Sequence, residues 1–541
     1  MVWRKKMKFF STTLLKVALI IALLSNQGVG FAFGGNRETP AETSTADAGG
    51  STENENASAN TQASQDGIFV LGGVRPTNDI VSESVYVYNM DMGVEVYSKN
   101  ADRKVWPASV TKIMTALVVL ENESNLEKKA KFPQLVTAEF VSDDPNKRGA
   151  ATAGFDLGCD ITLRDALYGL MLPSGCEAAN ILAYNVGKGE GAERIDNFVK
   201  MMNKKAKEIG ATGTNFSNAH GLFEPTNYTT ARDMFLITNY VYKKYPLFAE
   251  IVRTFEYAVP ISQYNPNGEI INTNRFLRPA SIYYNESVIG VKTGGFDDYS
   301  LKSTDGSWVT HDGIANLVSI ASKDGYEYMV VTMEAPWKTD LESGQHELHY
   351  AYTDHRTLFN WAFSTFKKTC VMRDTDLIAV VKVLDGTADE VQLFPLIESD
   401  FWTLLPEGLD AGSTINRKIK LASDECTCDN LPDDCECNIR EGVVTAPVFK
   451  GDKLGTLELW VGGQRLGEHS IPLVAGDSVA LSSSAKTRRT MEGVLGQWWF
   501  ILLLLVAGAT AIVLIILSYI HRHRKQLARK RRKPPNRRIR R

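Results

Sequence analysis

Large apolar side chains fall into sharply different patterns along this chain. Near the start, Arg4, Lys5, Lys6 and Lys8 precede an apolar run, Val17–Leu24, followed by the small residues Gly30 and Ala32. A basic stretch, a short apolar core and a small-residue cut site predict a signal peptide over 1–32. The alternative, an uncleaved anchor, is disfavoured because eight strongly apolar residues fall short of a ~30 Å hydrocarbon layer. From Gly34 to Asp66 there is no Val, Ile, Leu, Met, Phe, Trp or Tyr. With nothing to bury, the segment 33–67 is expected to be a disordered linker. At the other end Trp498–Ile520 is 23 residues without a charge, about 34 Å long at 1.5 Å per residue and enough to cross a bilayer. This predicts a transmembrane helix over 498–520, preceded by a linker, 481–497.

Between these segments the periodicity is that of a folded protein. Ser84–Ser98 alternates on either side of Asn89, Asp91 and Gly93, the pattern of a β-hairpin. In Ser109–Glu121 the residues Ile113, Met114, Leu117, Val118 and Leu120 recur at helical spacing. This predicts a buried helix with Ser109 in its first turn, led in by Pro107. Helical patterns follow over Leu163–Leu172, Glu177–Val186 and Ala192–Ile209. Then come strands Ile314–Ala321 and Glu327–Met333 around a Lys323-Asp324-Gly325 turn, and a helix over Tyr350–Phe366. The layout is α+β. After Cys370 short alternating runs with glycine turns take over, at Ile378–Leu384, Val391–Phe394, Val443–Pro447, Gly455–Val461 and His469–Leu473. They predict a second, all-β domain over 370–480, behind a first domain over 68–369.

The charge distribution adds topology. The overall net charge is −3, but twelve Lys or Arg lie in 521–541 and five in the first sixteen residues. Without them 43 basic residues face 63 acidic ones, a net of −20, so nucleic-acid binding by the folded part is excluded as an expectation. Trp498 and Trp499 at one end of the apolar span and the basic tail at the other orient it with 521–541 cytoplasmic and the domains on the outer, cell-wall side.

Three short motifs stand in order: Ser109-Val110-Thr111-Lys112, Ser174-Gly175-Cys176 and Lys292-Thr293-Gly294. A serine and a lysine three apart on a helix share a face, so the Lys112 amine can reach the Ser109 hydroxyl. A desolvated lysine near a second cation, here Lys292, has a lowered pKa and can take the hydroxyl proton. The bland alternative is a capping Ser109 with a solvated Lys112.

The order S-x-x-K, S-x-N-like, K-T-G resembles the set shared by penicillin-binding proteins and serine β-lactamases. The text around it, Pro107–Thr115, Leu163–Ser174, His220-Gly221-Leu222 and Thr230-Ala231-Arg232-Asp233, resembles the D-alanyl-D-alanine carboxypeptidase family of low-mass penicillin-binding proteins. The resemblance runs from Val81 to Phe366, and more loosely over Val443–Ala475. It implies an antiparallel sheet flanked by helices, followed by a small all-β domain. The implied activity is removal of the terminal D-alanine from peptidoglycan stem peptides, with β-lactams as covalent inhibitors. It further implies Ser109 as nucleophile, Lys112 as general base and Ser174 as proton relay to the leaving amine. Lys292 and Thr293 would hold the terminal carboxylate, and the Ser109 and Gly295 amides would form the oxyanion hole. Neither a cofactor nor a metal is required.

Two departures qualify the resemblance. Cys176 stands where most of the family has Asn, and a thiol donates and accepts only weakly, which predicts slower acylation or a different substrate. The polar stretch from Gly295 to Asp312 is long before the next expected strand. Competing readings are a β-lactamase using Glu224 for deacylation, a D,D-transpeptidase, and a catalytically weak wall-binding scaffold. Cys426, Cys428, Cys435 and Cys437 read as two disulfides outside a cell or as a thiolate metal site. His346, His349 and His355 lack the His-Glu-x-x-His spacing of a zinc site and read as a solvated helix face.

Overall fold

The computed structural model describes residues 67–541 except 142–143, 148, 304–305, 337–348, 422–438, 441–442, 496 and 532–541. The expected signal peptide, most of the linker, the cysteines Cys426, Cys428, Cys435 and Cys437, and His346 lie outside the described residues.

An antiparallel six-stranded sheet organises the first half. Its strands are β1 (Ile68–Val70), β2 (Ser84–Asn89), β3 (Val94–Lys99), β4 (Val288–Lys302), β5 (Trp308–Lys323) and β6 (Tyr326–Pro336), in the spatial order β1-β3-β2-β6-β5-β4. The hairpin predicted over Ser84–Ser98 is β2–β3. The Lys323–Tyr326 turn places Asp324 at φ 53° and Gly325 at φ 79°, the left-handed pair that a two-residue hairpin needs. Alternation sends successive residues of β2 to opposite faces: Tyr86 joins one core cluster, Val85 and Val87 the other. Because both faces are covered, β2 is buried almost throughout.

On the first face lie α1 (Thr111–Asn122), α2 (Leu163–Met171), α3 (Cys176–Val186), α4 (Glu193–Glu208), α5 (Ala231–Lys244) and α6 (Pro246–Arg253). α1 is buried from Thr111 to Val119, as suits a helix apolar nearly all round. Thr162 caps α2 through a reciprocal pairing with Asp165, and Thr230 caps α5 by accepting from the Asp233 amide. On the second face α7 (Tyr350–Thr365) packs Leu358, Phe359 and Ala362 against the sheet. Here His355 corrects the expected solvated face. It is fully buried, its Nε2 3.2 Å from the Leu317 carbonyl oxygen and 3.0 Å from Thr332 Oγ1. Burial pulls its pKa down to about 3, so it stays neutral.

The stretch after Gly295 is also not a loop. β4 and β5 stay paired from Phe296↔Ile314 out to Lys302↔Trp308, so the expected polar connection is the outer part of one long hairpin. Asn146 holds it to the domain, donating to the Ser300 carbonyl at 2.9 Å and accepting from the Ser300 amide at 2.8 Å.

The second half is a seven-stranded sheet in the order Asn416–Leu421, Lys453–Val461, Gln464–Ala475, Glu390–Pro395, Ala379–Leu384, Val443–Thr445, Ile439–Arg440. A separate ribbon pairs Phe366–Met372 with Phe401–Pro406. Helix α8 (Ser483–Leu495) is tied to this sheet by Arg488 on Asp385 at 2.6 Å and by Arg489 donating to the Ala446 carbonyl. Helix α9 (Trp498–Arg531) follows. Its stretch Trp498–Ala528, whose most apolar 18-residue window has a mean hydropathy of 3.1, is among the described residues the one helix long and apolar enough to cross a membrane.

Candidate active site

Ser109 sits in a 3₁₀ turn, Ala108–Val110, that runs directly into α1. The turn is held from outside. Asn316 of β5 donates to the carbonyls of Trp106 (2.8 Å) and Pro107 (2.9 Å), and its own oxygen accepts from the Glu334 amide. Ala108 is held at φ 48°, a left-handed conformation unfavourable for a residue with a Cβ. Gly221 closes over it: a Cβ there would lie 1.9 Å from the Ala108 oxygen. On the opposite side a Cβ on Gly294 would come within 3.0 Å of the Ser109 and Val110 amide nitrogens. The glycines of His-Gly-Leu and Lys-Thr-Gly are therefore what let two other segments close on the serine turn.

Lys112 is one helical turn on, completely buried, with Nζ 3.0 Å from Ser109 Oγ, 3.5 Å from Cys176 Sγ and 2.6 Å from the His220 carbonyl oxygen. Burial pushes its pKa below the ordinary lysine value, against the opposing pull of the Cys176 sulfur. Lys292 is buried too, and its pKa is driven well down by burial and then by the Lys112 charge. Its amine turns back to the Thr293 carbonyl oxygen at 2.9 Å. A buried lysine whose pKa burial lowers is what a neutral amine base requires.

Cys176 opens α3 and is anchored by its amide to the Ala151 carbonyl. Burial raises its pKa, the Lys112 ammonium opposing. The thiol is thus favoured over thiolate, which fits a packing group that takes a hydrogen bond from Lys112. Ser174 stands two residues earlier at φ 68°. Its Oγ is buried with no hydrogen-bond partner among the described residues, and the residue lines the cavity in front of Ser109. Glu177 fixes the facing wall, accepting from Thr152 Oγ1 at 2.6 Å and the Ala153 amide at 2.7 Å.

That cavity has a volume of about 400 Å³. Ser109, Ser174, Thr293, Gly294 and Gly295 line it, whereas Lys112, Cys176 and Lys292 stand behind its wall. All eight residues singled out in the sequence thus converge on one place. Sequence reasoning missed the far end: Thr273, Arg275, Arg278, His349 and Tyr352. It also missed Glu139, which lies 3.1 Å from His220 Nε2. The His220 Nδ1 accepts from the Leu222 amide, so the ring is the neutral Nε2–H tautomer and donates to Glu139. Its orientation steadies the carbonyl that holds Lys112. Glu224, the deacylating group of the β-lactamase reading, is 3.6 Å from Lys147 and does not line the cavity.

Comparison with known proteins places the chain in a family. Residues 73–336 match the family described as D-alanyl-D-alanine carboxypeptidase, and residues 366–480 match the C-terminal domain of penicillin-binding protein 5. The D-alanyl-D-alanine carboxypeptidase of Streptomyces sp. (strain K15) is 34% identical over 228 residues, 41% of this chain and 73% of that protein. DacF of Bacillus subtilis (strain 168), another D-alanyl-D-alanine carboxypeptidase, is 26% identical over 393 residues, 72% of this chain and 84% of its own length. Among solved structures, penicillin binding protein 5 from Haemophilus influenzae aligns at 22% identity with a TM-score of 0.48, covering 75% of this chain and 100% of that one. With a relative at 34% identity across most of its own length, and with both halves of the chain matched in order, this protein belongs to the D-alanyl-D-alanine carboxypeptidase family.

Proposed function

We propose that Ser109 is the nucleophile with which this serine-type carboxypeptidase removes the terminal D-alanine from peptidoglycan stem peptides. The observation that carries the assignment is the 3.0 Å approach of Ser109 Oγ, which lines an open cavity, to the buried, pKa-lowered Lys112 amine behind its wall. Ser109 Oγ attacks the carbonyl carbon of the penultimate D-alanine while its proton passes to the neutral Lys112 amine. The amides of Ser109 and Gly295 receive the oxyanion. The C–N bond then breaks, and the Lys112 proton reaches the departing amine through the Ser174 hydroxyl, which has no hydrogen-bond partner among the described residues. Water attacks the ester, the shortened peptide leaves, and Ser109 regains its proton. Thr293 binds the terminal carboxylate with Lys292 behind it, Cys176 seats the Lys112 amine and Gly294 admits the strand. β-Lactams acylate the same serine.

The domain limits are proposed as read from the sequence, a catalytic domain over 68–369 and a β-rich domain over 370–480, with the strand Phe366–Met372 crossing their boundary and the expected linker 481–497 taken up mostly by helix α8. α9 anchors the protein with the catalytic part on the wall side and the basic tail in the cytoplasm. Mass spectrometry after incubation with penicillin tests the site: one adduct on Ser109 supports it, and an adduct elsewhere, or none, refutes it. Release of D-alanine from a pentapeptide, lost in Ser109→Ala, tests the reaction. An amine acceptor outcompeting water would make the enzyme a transpeptidase instead.

A further inference from the structure

Beyond Gly295 the long hairpin of β4 and β5 takes no part in the chemistry, yet it is built firmly into the molecule. Side chains alternate between its two faces. On one face Tyr299 and His311, opposite each other, stack at 5.1 Å, and Tyr299 packs on Trp106 and Phe223 at 4.9 Å each. That face is turned to the domain. The other carries Asp298 and Asp312 at its root, Thr310 midway, and Lys302 and Trp308 towards the tip, all of them exposed. Trp308 shows 44% of its surface to solvent, with the Lys302 amine 5.8 Å from its ring centre. Carboxylates directly opposite each other repel, and Asp298 and Asp312 form no ion pair with a described residue. An open indole ring among carboxylates and a hydroxyl suits a sugar, whose C–H face can cover the ring while its hydroxyls donate to the oxygens.

The direction of the substrate along β4, the outermost strand of its sheet, brings such a sugar here. With the terminal carboxylate at Thr293 and the scissile carbonyl at the Gly295 amide, the earlier residues of the stem lie beyond Gly295, towards Tyr299. A pentapeptide has three of them before its two D-alanines, about 10 Å of extended chain. From Gly295 to Ser300 the strand rises about 17 Å. At Ser300 the edge is closed, because the Asn146 side chain takes both the amide and the carbonyl of that residue. The stem therefore ends beside the root of the outer hairpin, and the sugars to which it is joined come level with the exposed face.

We infer that this outer face is a docking surface for the glycan that bears the stem peptide, with Trp308 stacked on a neutral N-acetylated sugar ring and Asp298, Thr310 and Asp312 accepting from its hydroxyl and amide groups. The placement rests on the acyl-transfer reading of Ser109, which sets the direction of the peptide. It directs the enzyme to stem peptides still carried on wall polymer.

The test uses the full-length protein and three probes: a free pentapeptide, the same pentapeptide borne on un-cross-linked glycan strands, and glycan strands stripped of peptide. In Trp308→Ala, kcat/KM on the strand-borne peptide is expected to fall about tenfold, mostly through KM, with the free-pentapeptide rate unchanged. Trp308→Phe, which keeps an aromatic face, is expected to recover most of the loss. Stripped strands are expected to bind the unaltered protein and to bind Trp308→Ala about tenfold more weakly. Equal losses on free and strand-borne peptide, no loss on either, or stripped strands that bind both proteins alike or neither, overturn the inference. Acylation of Ser109 by benzylpenicillin, expected to be unchanged in both variants, reports that they are folded with an active serine. Binding of stripped strands needs no turnover, so it decides the role of the hairpin even if the protein releases no D-alanine, the result that would sink the hydrolase reading separately.

Discussion

The catalytic sheet is antiparallel and the C-terminal sheet antiparallel but for one parallel pair, Ala379–Leu384 with Val443–Thr445, yet the two treat polar groups in opposite ways. Around the catalytic sheet Lys112, Lys292, Glu177, His220 and Asp233 are buried, and Ala108 and Ser174 are held at positive φ. In the C-terminal half the buried polar residues among those described are Thr403 and Thr456, and the core includes Val381, Leu393, Val444, Leu457, Leu459 and Leu473. The second region keeps closer to local rules, its left-handed non-glycine among the described residues being Asp385 in a turn, and gains its stability from apolar burial. The first breaks them, and a buried charge or left-handed alanine persists only where surrounding structure over-determines it. Departure from the local rules marks the chemistry here more sharply than the fold does.

The comparison can be broken at several points. Ser109→Ala has the largest expected effect: D-alanine release and the penicillin adduct disappear, a loss of about 10³-fold or more, while the melting temperature stays put. Retained acylation would remove the catalytic region's claim to its strain. Next comes Gly294→Ala. The new Cβ would press on the Ser109 and Val110 amides, and displacing the nucleophile by even a fraction of an ångström is expected to slow acylation about 10²-fold with about 1–3 kcal/mol lost in denaturant titration.

A pH profile is the third test. Acylation needs neutral Lys112, so its rate should drop about tenfold per pH unit below the lowered lysine pKa. The same lowering has a sign in stability. Between the folded value and the ordinary 10.5 the unfolded chain binds the extra proton, so stability rises with pH across that window and falls as pH drops towards the folded value. Lys112→Met should flatten both curves. The smallest effect on chemistry is expected from Leu459→Ala in the C-terminal sheet, which is fully buried. It should cost about 2–5 kcal/mol in that region and leave the acylation rate of folded protein unchanged. A changed rate would show that the two regions are mechanically coupled.

Legibility in the sequence followed the same division. The alternating runs after Cys370 announced strands because the sheet there has simple packing. In the first half the hairpin β2–β3 and helix α1 were equally plain. Helix α5 was not: its run Met234-Phe235-Leu236-Ile237-Thr238-Asn239-Tyr240-Val241-Tyr242 mixes β-branched and aromatic residues that suit a strand as well as a helix. The Thr230–Asp233 cap was the signal available. His355 read as solvated because its burial is created by β5 and β6, whose Leu317 and Thr332 supply its partners. The far end of the cavity was invisible because Thr273, Arg278 and Tyr352 form no motif.

What the sequence determined alone is therefore what short-range geometry controls. Ser109 and Lys112 meet because residues three apart on a helix share a face, and that holds whatever packs around them. Tertiary structure decided whether the pair could react. It brought Cys176 from 64 residues away and the His220 carbonyl from 108 residues away to the Lys112 amine, and it sealed Lys292 nearby. A pKa responds to desolvation and to neighbouring charge, and both are properties of the packed chain that no local pattern contains.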